Sequence, residues 1–166
     1  MGNLFFYSLA AVALVAAISM VWQRNPVASA ISLVVTLVCQ AGLFILLQAH
    51  FAATMQILVY TGAIMVLFIF VIMLLNLQDH ELGHAKYSSW KFIGGSLSLL
   101  AAALIIAAMA GTEASAADPV QVDATYGTIE AVGLELFSKY LFPFEALSLV
   151  LTAAIAGAVI LGKKDL

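Results

Sequence analysis

The sequence predicts an all-α, polytopic membrane protein with five transmembrane helices, and three observations carry that prediction. The chain has 166 residues, 64% of them hydrophobic and 9% charged. An average soluble domain is about 25% charged, roughly three times as much. So few charges cannot cover the surface of a water-soluble globule. Five stretches are long and apolar enough to cross a bilayer, which takes about 20 residues in a helix. Those stretches run without the period-2 alternation of a membrane β-barrel. A soluble enzyme, a disordered chain and a nucleic-acid binder are excluded together. The net charge of −3 gives no basic field for phosphate. One cysteine, Cys39, supports no internal disulfide and no thiolate cluster for iron–sulfur or zinc. It reads as a buried small residue of span two.

The predicted spans are 4–22, 26–47, 51–75, 92–110 and 140–161, forming a single transmembrane domain over 1–166. The first is read as a retained helix. It opens Met1-Gly2-Asn3 without a basic n-region, and its apolar run exceeds a signal-peptide core. Met-Gly alone does not make a myristoylation site, because Phe6 stands where that motif needs Ser or Thr. Gln23-Arg24-Asn25 and Gln48 to His50 are short connections, so spans one to three are antiparallel neighbours. The segment from Gly111 to Lys139 is longer and acidic, with room for a short surface helix near 129–137.

Orientation follows from Lys and Arg. With five spans, Arg24, Lys86, Lys91, Lys163 and Lys164 fall on one side and Lys139 alone on the other. The N-terminus is therefore expected outside and the C-terminus in the cytoplasm. Trp22, Tyr87, Trp90 and Tyr140 read as interface anchors, and His50 as an interfacial histidine.

Ionisable groups inside a membrane are functional candidates, yet spans one to four contain no carboxylate, Lys, Arg or His at depth. A lone carrier would normally hold a carboxylate or cation near the midplane. This chain is expected not to carry ions by itself but to pack against partners that do. Glu145, in Leu141-Phe142-Pro143-Phe144-Glu145, is the exception. It admits two readings: a helix-start carboxylate beside a proline at the first helical position, or a proton or water contact at a subunit interface.

Span three is the most informative. Its 25 or so residues would reach about 37 Å as a helix, against a hydrocarbon core of about 30 Å. Tilt, interfacial ends or a π-bulge can absorb the excess. Tyr60-Thr61-Gly62 is the expected irregularity. Gly62 tolerates backbone distortion or close helix approach, Thr61 can bond back to a carbonyl of the preceding turn, and the Tyr60 hydroxyl needs a partner. The same residues also admit a plainer reading, tight helix packing around a satisfied tyrosine.

His80-Glu81-Leu82-Gly83-His84 matches H-E-x-x-H, the zinc metallopeptidase pattern. A catalytic zinc needs a third protein ligand. On the topology above, the acids from Glu113 to Glu135 lie across the membrane from it. The match also sits in a short polar loop rather than on a supported helix, so no metal site is expected.

Four segments together resemble a known family. They are Asn25-Pro26-Val27, the run from Val59-Tyr60-Thr61-Gly62 to Leu74-Leu75-Asn76, Leu141-Phe142-Pro143-Phe144-Glu145, and Ala156-Gly157-Ala158-Val159-Ile160-Leu161. The chain resembles the J subunits of proton-translocating NADH:quinone oxidoreductase, respiratory complex I, whose mitochondrial counterpart is NADH dehydrogenase subunit 6. The resemblance implies a non-catalytic membrane-arm subunit in a bacterial inner membrane. It implies no cofactor here, with FMN, iron–sulfur clusters, NADH and quinone elsewhere in the complex. Implied partners are the A, K and H subunits, the N-type antiporter-like subunits and the lipid bilayer. It also implies a π-bulge gate on a proton path, with Tyr60 and Gly62 as hinge, Thr61 between them, and Met65, Val66 and Phe68 as lining. Thr61 stands where the family more often has a small apolar residue. The same architecture serves a photosynthetic NDH-like complex, a deazaflavin-dependent dehydrogenase and a multi-subunit cation/proton antiporter. A purely structural assembly subunit is a further alternative.

Overall fold

The computed structural model describes residues 2–75, 89–111, 123 and 125–163, with backbone only at 89–92 and 109–111. Every regular element among them is helical. Four helices are long and apolar enough to cross a membrane: Gly2–Trp22, Pro26–Leu46, His50–Leu74 and Leu141–Gly162. A fifth helix, Ser89–Gly111, contains a shorter apolar stretch, Ile93–Ala108. The His80–His84 motif lies outside the described residues, as do Glu113, Asp118 and Tyr87.

Helix α1 (Gly2–Trp22) turns through Gln23–Asn25 into α2 (Pro26–Leu46). Asn25 makes that turn sharp. Its side-chain oxygen accepts from the backbone N–H groups of Val27 at 2.9 Å and Ala28 at 3.3 Å, and Pro26 sits where a helix needs no donor. Ser29 donates to the Met20 carbonyl at 2.7 Å and ties the two helices at this end. Small residues set their approach: Ala16, Ala30 and Ala41 are buried. A side chain at Gly42 would meet Leu9 at 3.0 Å.

The α2 C-terminus ends in a Schellman motif. Gln48 N–H donates to the Ile45 carbonyl and Ala49 N–H to the Phe44 carbonyl, both at 2.9 Å. The motif needs a left-handed residue, usually glycine, and Gln48 takes it at φ 59°. Span three then begins as α3 (His50–Met55), widens to a π-helix over Gln56–Ile64, and returns to α-helix in α4 (Met65–Leu74). The irregularity expected at Tyr60–Gly62 is thus present, and longer than a single bulge. Among the described residues span three packs along α2, and its α3 end also touches α6 (Ile129–Ser138).

Helix α5 (Ser89–Gly111) packs on no other described helix, and α7 (Leu141–Gly162) packs only on α6. The expected surface helix near 129–137 is α6, capped by Thr128, whose hydroxyl accepts from Ala131 N–H at 3.3 Å. Phe137 of α6 meets Phe144 of α7 edge-to-face at 5.2 Å.

The left-handed Gln48 yields a prediction. Such a conformation costs a non-glycine residue about 1 kcal/mol or more. Gln48→Gly should therefore raise the unfolding free energy in mixed micelles by about 1 kcal/mol. An unchanged or lowered midpoint would contradict the cap geometry.

Candidate functional site

The chemistry of span three begins with two buried side chains. Gln56 is 7% exposed and Met65 is 4% exposed. Helix α2 packs on both the π segment and α4, so both residues are covered by α2. They stand nine positions apart. In a regular α-helix, at 100° per residue, nine positions leave them about half a turn out of phase, on opposite faces. Each π turn inserts one residue and so rotates the remainder of the helix by about 100°. About two such insertions fit in nine π-helical residues and return about 200°, close to the half turn required. The π segment is what puts Gln56 and Met65 on one face.

The local chemistry at Tyr60-Thr61-Gly62 matches that geometry. Met65 N–H donates to the Tyr60 carbonyl, five residues back. The Thr61 hydroxyl donates to the Gln56 carbonyl, also five back, at 3.2 Å. A Cβ on Gly62 would stand 3.2 Å from the Ile57 carbonyl oxygen, again five back. Gly62 is exposed and meets no neighbouring helix there. The glycine therefore relieves crowding within its own widened turn.

A polar pair lies at the start of the π segment. Gln56 Nε2 donates to Gln40 Oε1 at 3.4 Å, from span three to α2. Each amide is eight positions from Gln48, on opposite sides of the turn. Residues equidistant from the turn of an antiparallel hairpin meet at one depth, and here that depth is about 9 Å inside the helix ends. The sequence reading named span-three residues from Tyr60 onward and missed this pair. Its signal was that symmetry about Gln48.

The other candidates are spread over the span. Thr61 is half-buried, whereas Tyr60, Gly62, Val66 and Phe68 are exposed. The Tyr60 hydroxyl has no partner among the described residues. The six residues do not converge on one point: Met65 faces α2, and most of the rest face whatever surrounds the chain.

Glu145 requires a correction. The sequence placed Pro143 at the first helical position, with Glu145 in the first turn. Helix α7 begins two residues earlier, at Leu141, and carries no acid in its first turn. Pro143 is tolerated at the third position because the first four N–H groups of a helix lack an intrahelical partner anyway. Glu145 lies beyond the free N–H groups, exposed, with no side-chain partner among the described residues. The helix-start reading of this carboxylate loses its basis. His50 opens α3, and its carbonyl accepts from the Thr54 hydroxyl at 2.9 Å. Among the described residues no group of three or more His, Cys, Asp and Glu is placed to hold a metal.

Long apolar helices, two of them scarcely packed among the described residues, and a wide-turn segment in the third span define the class: a helical membrane protein. The profile of the family described as NADH-ubiquinone/plastoquinone oxidoreductase chain 6 matches residues 16–161. The chain belongs to that family. It is 36% identical over 160 residues to the NADH-quinone oxidoreductase subunit J of Rhodobacter capsulatus, covering 94% of this chain and 79% of the relative. It is 33% identical over 165 residues to the Escherichia coli K12 protein of the same description, covering 96% and 86%. It is 34% identical over 161 residues to the NAD(P)H-quinone oxidoreductase subunit 6 of the Paulinella chromatophora chromatophore, covering 97% and 78%.

Two substitutions test the site. Thr61→Val removes a bond worth about 1 kcal/mol to the widened turn. Gly62→Ala crowds that turn and favours a regular helix by about 1 kcal/mol. In cryo-electron microscopy of the assembled complex, the double variant should have fewer five-back hydrogen bonds and Met65 turned off α2. An unchanged nine-residue π segment would count against this account.

Proposed function

We propose that this chain is a membrane-arm subunit of proton-translocating NADH:quinone oxidoreductase, and that span three gates a water path between neighbouring subunits. The carrying observation is the π segment that holds Gln56 and Met65 on one face. A change from π to α within Gln56–Ile64 would rotate the following half of the span by up to about half a turn. Met65 would leave α2. At 100° per residue from Gln56, Leu67 and Ala63 would take its place. Val66 and Phe68 would swing with them. In one state these apolar side chains fill a gap and keep it dry; in the other, water connects carboxylates on partner subunits. The chain's own role is steric, in keeping with spans one to four, which bear no carboxylate, Lys, Arg or His at depth.

Five spans, with the N-terminus outside and the C-terminus in the cytoplasm, are part of the proposal. One contact supports them. Span three starts beside residue 127, where Phe51 N–H meets the Gly127 carbonyl, and runs away from that end to Leu74. By residue 125 the chain is back at the starting end. The return needs a crossing, and the 23 residues of α5 reach about 34 Å. The A, K, H and N-type subunits would cover the exposed faces in a bacterial inner membrane. Glu145, on the weakly packed α7, is the carboxylate we assign to a partner contact. FMN, iron–sulfur clusters, NADH and quinone belong elsewhere in the complex, with no cofactor and no catalytic residue in this chain. The likeness to the chromatophore NAD(P)H-quinone oxidoreductase subunit favours one second reading, the equivalent subunit of a photosynthetic-type complex. Co-purification with a flavin-bearing, NADH-oxidising arm separates the two.

Gly62→Leu and Val66→Asp test the gate in the intact complex. Gly62→Leu crowds the widened turn, where a Cβ would stand 3.2 Å from the Ile57 carbonyl oxygen, and Val66→Asp hydrates the dry state. Each should lower protons moved per NADH oxidised while electron transfer to an artificial acceptor at the flavin continues. Full coupling in an assembled complex carrying either variant would refute the gate.

A further inference from the structure

We propose that the turn Thr125–Thr128 is the fixed anchor of span three, with Gly127 as its positioning residue, so that a change in the π segment turns the Met65–Leu74 half and not the His50–Met55 half. The inference rests on the gating reading above. It concerns which end moves.

A helix that changes pitch in its middle rotates one end relative to the other, and the end with fewer restraints does the turning. At the His50 end the restraints are many. Phe51 N–H, a free donor at the start of α3, reaches the Gly127 carbonyl at 2.8 Å. Gly127 has φ +71°, and a Cβ there would lie 2.1 Å from the Gln48 carbonyl oxygen and 2.9 Å from Ala49 Cα. No other residue fits between those backbones. The turn is rigid on its own account. Tyr126 N–H donates to the Asp123 carbonyl at 2.8 Å and Thr128 N–H to the Thr125 carbonyl at 3.2 Å. The Thr125 hydroxyl donates to Asp123 Oδ2 at 3.1 Å, and the Thr128 hydroxyl to the Thr125 carbonyl at 2.7 Å. Thr128 also caps α6, and α6 is joined to α7 through Phe137 and Phe144. Five residues after Phe51, the Gln56–Gln40 amide pair adds a second tie to α2.

The other end has little to hold it. Val66, Leu67, Phe68, Phe70, Val71, Met73 and Leu74 are exposed. Among the described residues α4 packs only on α2 and on the π segment itself. No side-chain hydrogen bond ties α4 to another described element.

The test uses the assembled complex, imaged by cryo-electron microscopy at rest and during turnover, together with protons moved per NADH oxidised. In the parent chain Gln56 should stay beside Gln40 in both conditions while Met65 changes face. In Gly127→Ala, Gln56 should lose its fixed place, Met65 should lose its two-position switching, and the proton ratio should fall with flavin-site electron transfer unchanged. Thr128→Val loosens the same turn without adding bulk at Gly127, and serves if Gly127→Ala does not assemble. Gln48→Gly, which keeps the turn, should behave as the parent. Intact variants with Gln56 in place and a parental proton ratio would overturn the anchor. A parent in which Met65 keeps one face in both conditions would instead overturn the gating reading. Movement of Gln56 with Met65 held still would overturn the anchor alone.

Discussion

The third span is governed by a phase constraint. Gln56 brings a polar amide into hydrocarbon and needs the amide of Gln40, so its face on α2 is fixed. Met65 is buried on that same face. A regular helix cannot satisfy both, because nine positions are half a turn out of register. The widened turn resolves the conflict, and Thr61 and Gly62 make it tolerable, one by bonding the carbonyl five back and the other by leaving that space clear. On the proposed gate, a regular helix is the second arrangement of this span. Releasing Met65 satisfies the backbone and leaves only an apolar contact to be replaced.

Packing within the chain fits the same division. Helices α1 and α2 form a tight pair through small residues and an asparagine cap, giving span three a firm surface to lie on. Helices α5 and α7 contribute almost nothing to that pair. Ala, Leu and Ile predominate on α5, and Ala, Leu, Val and Ile on α7, so lipid or other apolar helices can solvate them equally well. Close packing of such helices on any neighbour rests on van der Waals contact and polar pairs rather than a hydrophobic drive, which is weak between helices in lipid. Glu145 is the one carboxylate on these two helices.

Much of this was legible in the residues, because the rules that govern membrane helices act over short distances. Apolar length marked four spans and the α5 helix to within a few residues. Asn25-Pro26 marked the α2 start, since cap and proline act within one turn. Tyr60-Thr61-Gly62 marked the irregular region, since hydroxyl back-bonding and a missing Cβ are also local. The extent of the π segment was not legible. It depends on which face Gln56 and Met65 share, and that is set by α2, a contact across the chain. Pro143 misled for a related reason. Proline is tolerated at any position of the first turn, so it bounds a helix start without fixing it, and the two residues' difference moved Glu145 out of reach of the free N–H groups. The Gly127 contact was invisible, because one glycine in a polar segment carries no sign of the backbone it will touch.

Sparse charge acquires its meaning from these contacts. Spans one to four, over 4–22, 26–47, 51–75 and 92–110, hold no Asp, Glu, Lys, Arg or His, so the influence on proton movement proposed for this subunit is steric or through hydration. Steric control demands a part that moves and a part that does not. On the proposed gate, span three supplies both in one helix: an end tied by backbone to a glycine turn and by an amide to α2, and an end clothed in exposed apolar side chains. A charged residue on the moving half would resist leaving or entering hydrocarbon, at a cost of about 2.5–3.5 kcal/mol or more. Valine, leucine and phenylalanine can change neighbours there at little cost in solvation. On the proposed gate, the absence of charge would let the moving half rotate and would also keep it from carrying the proton.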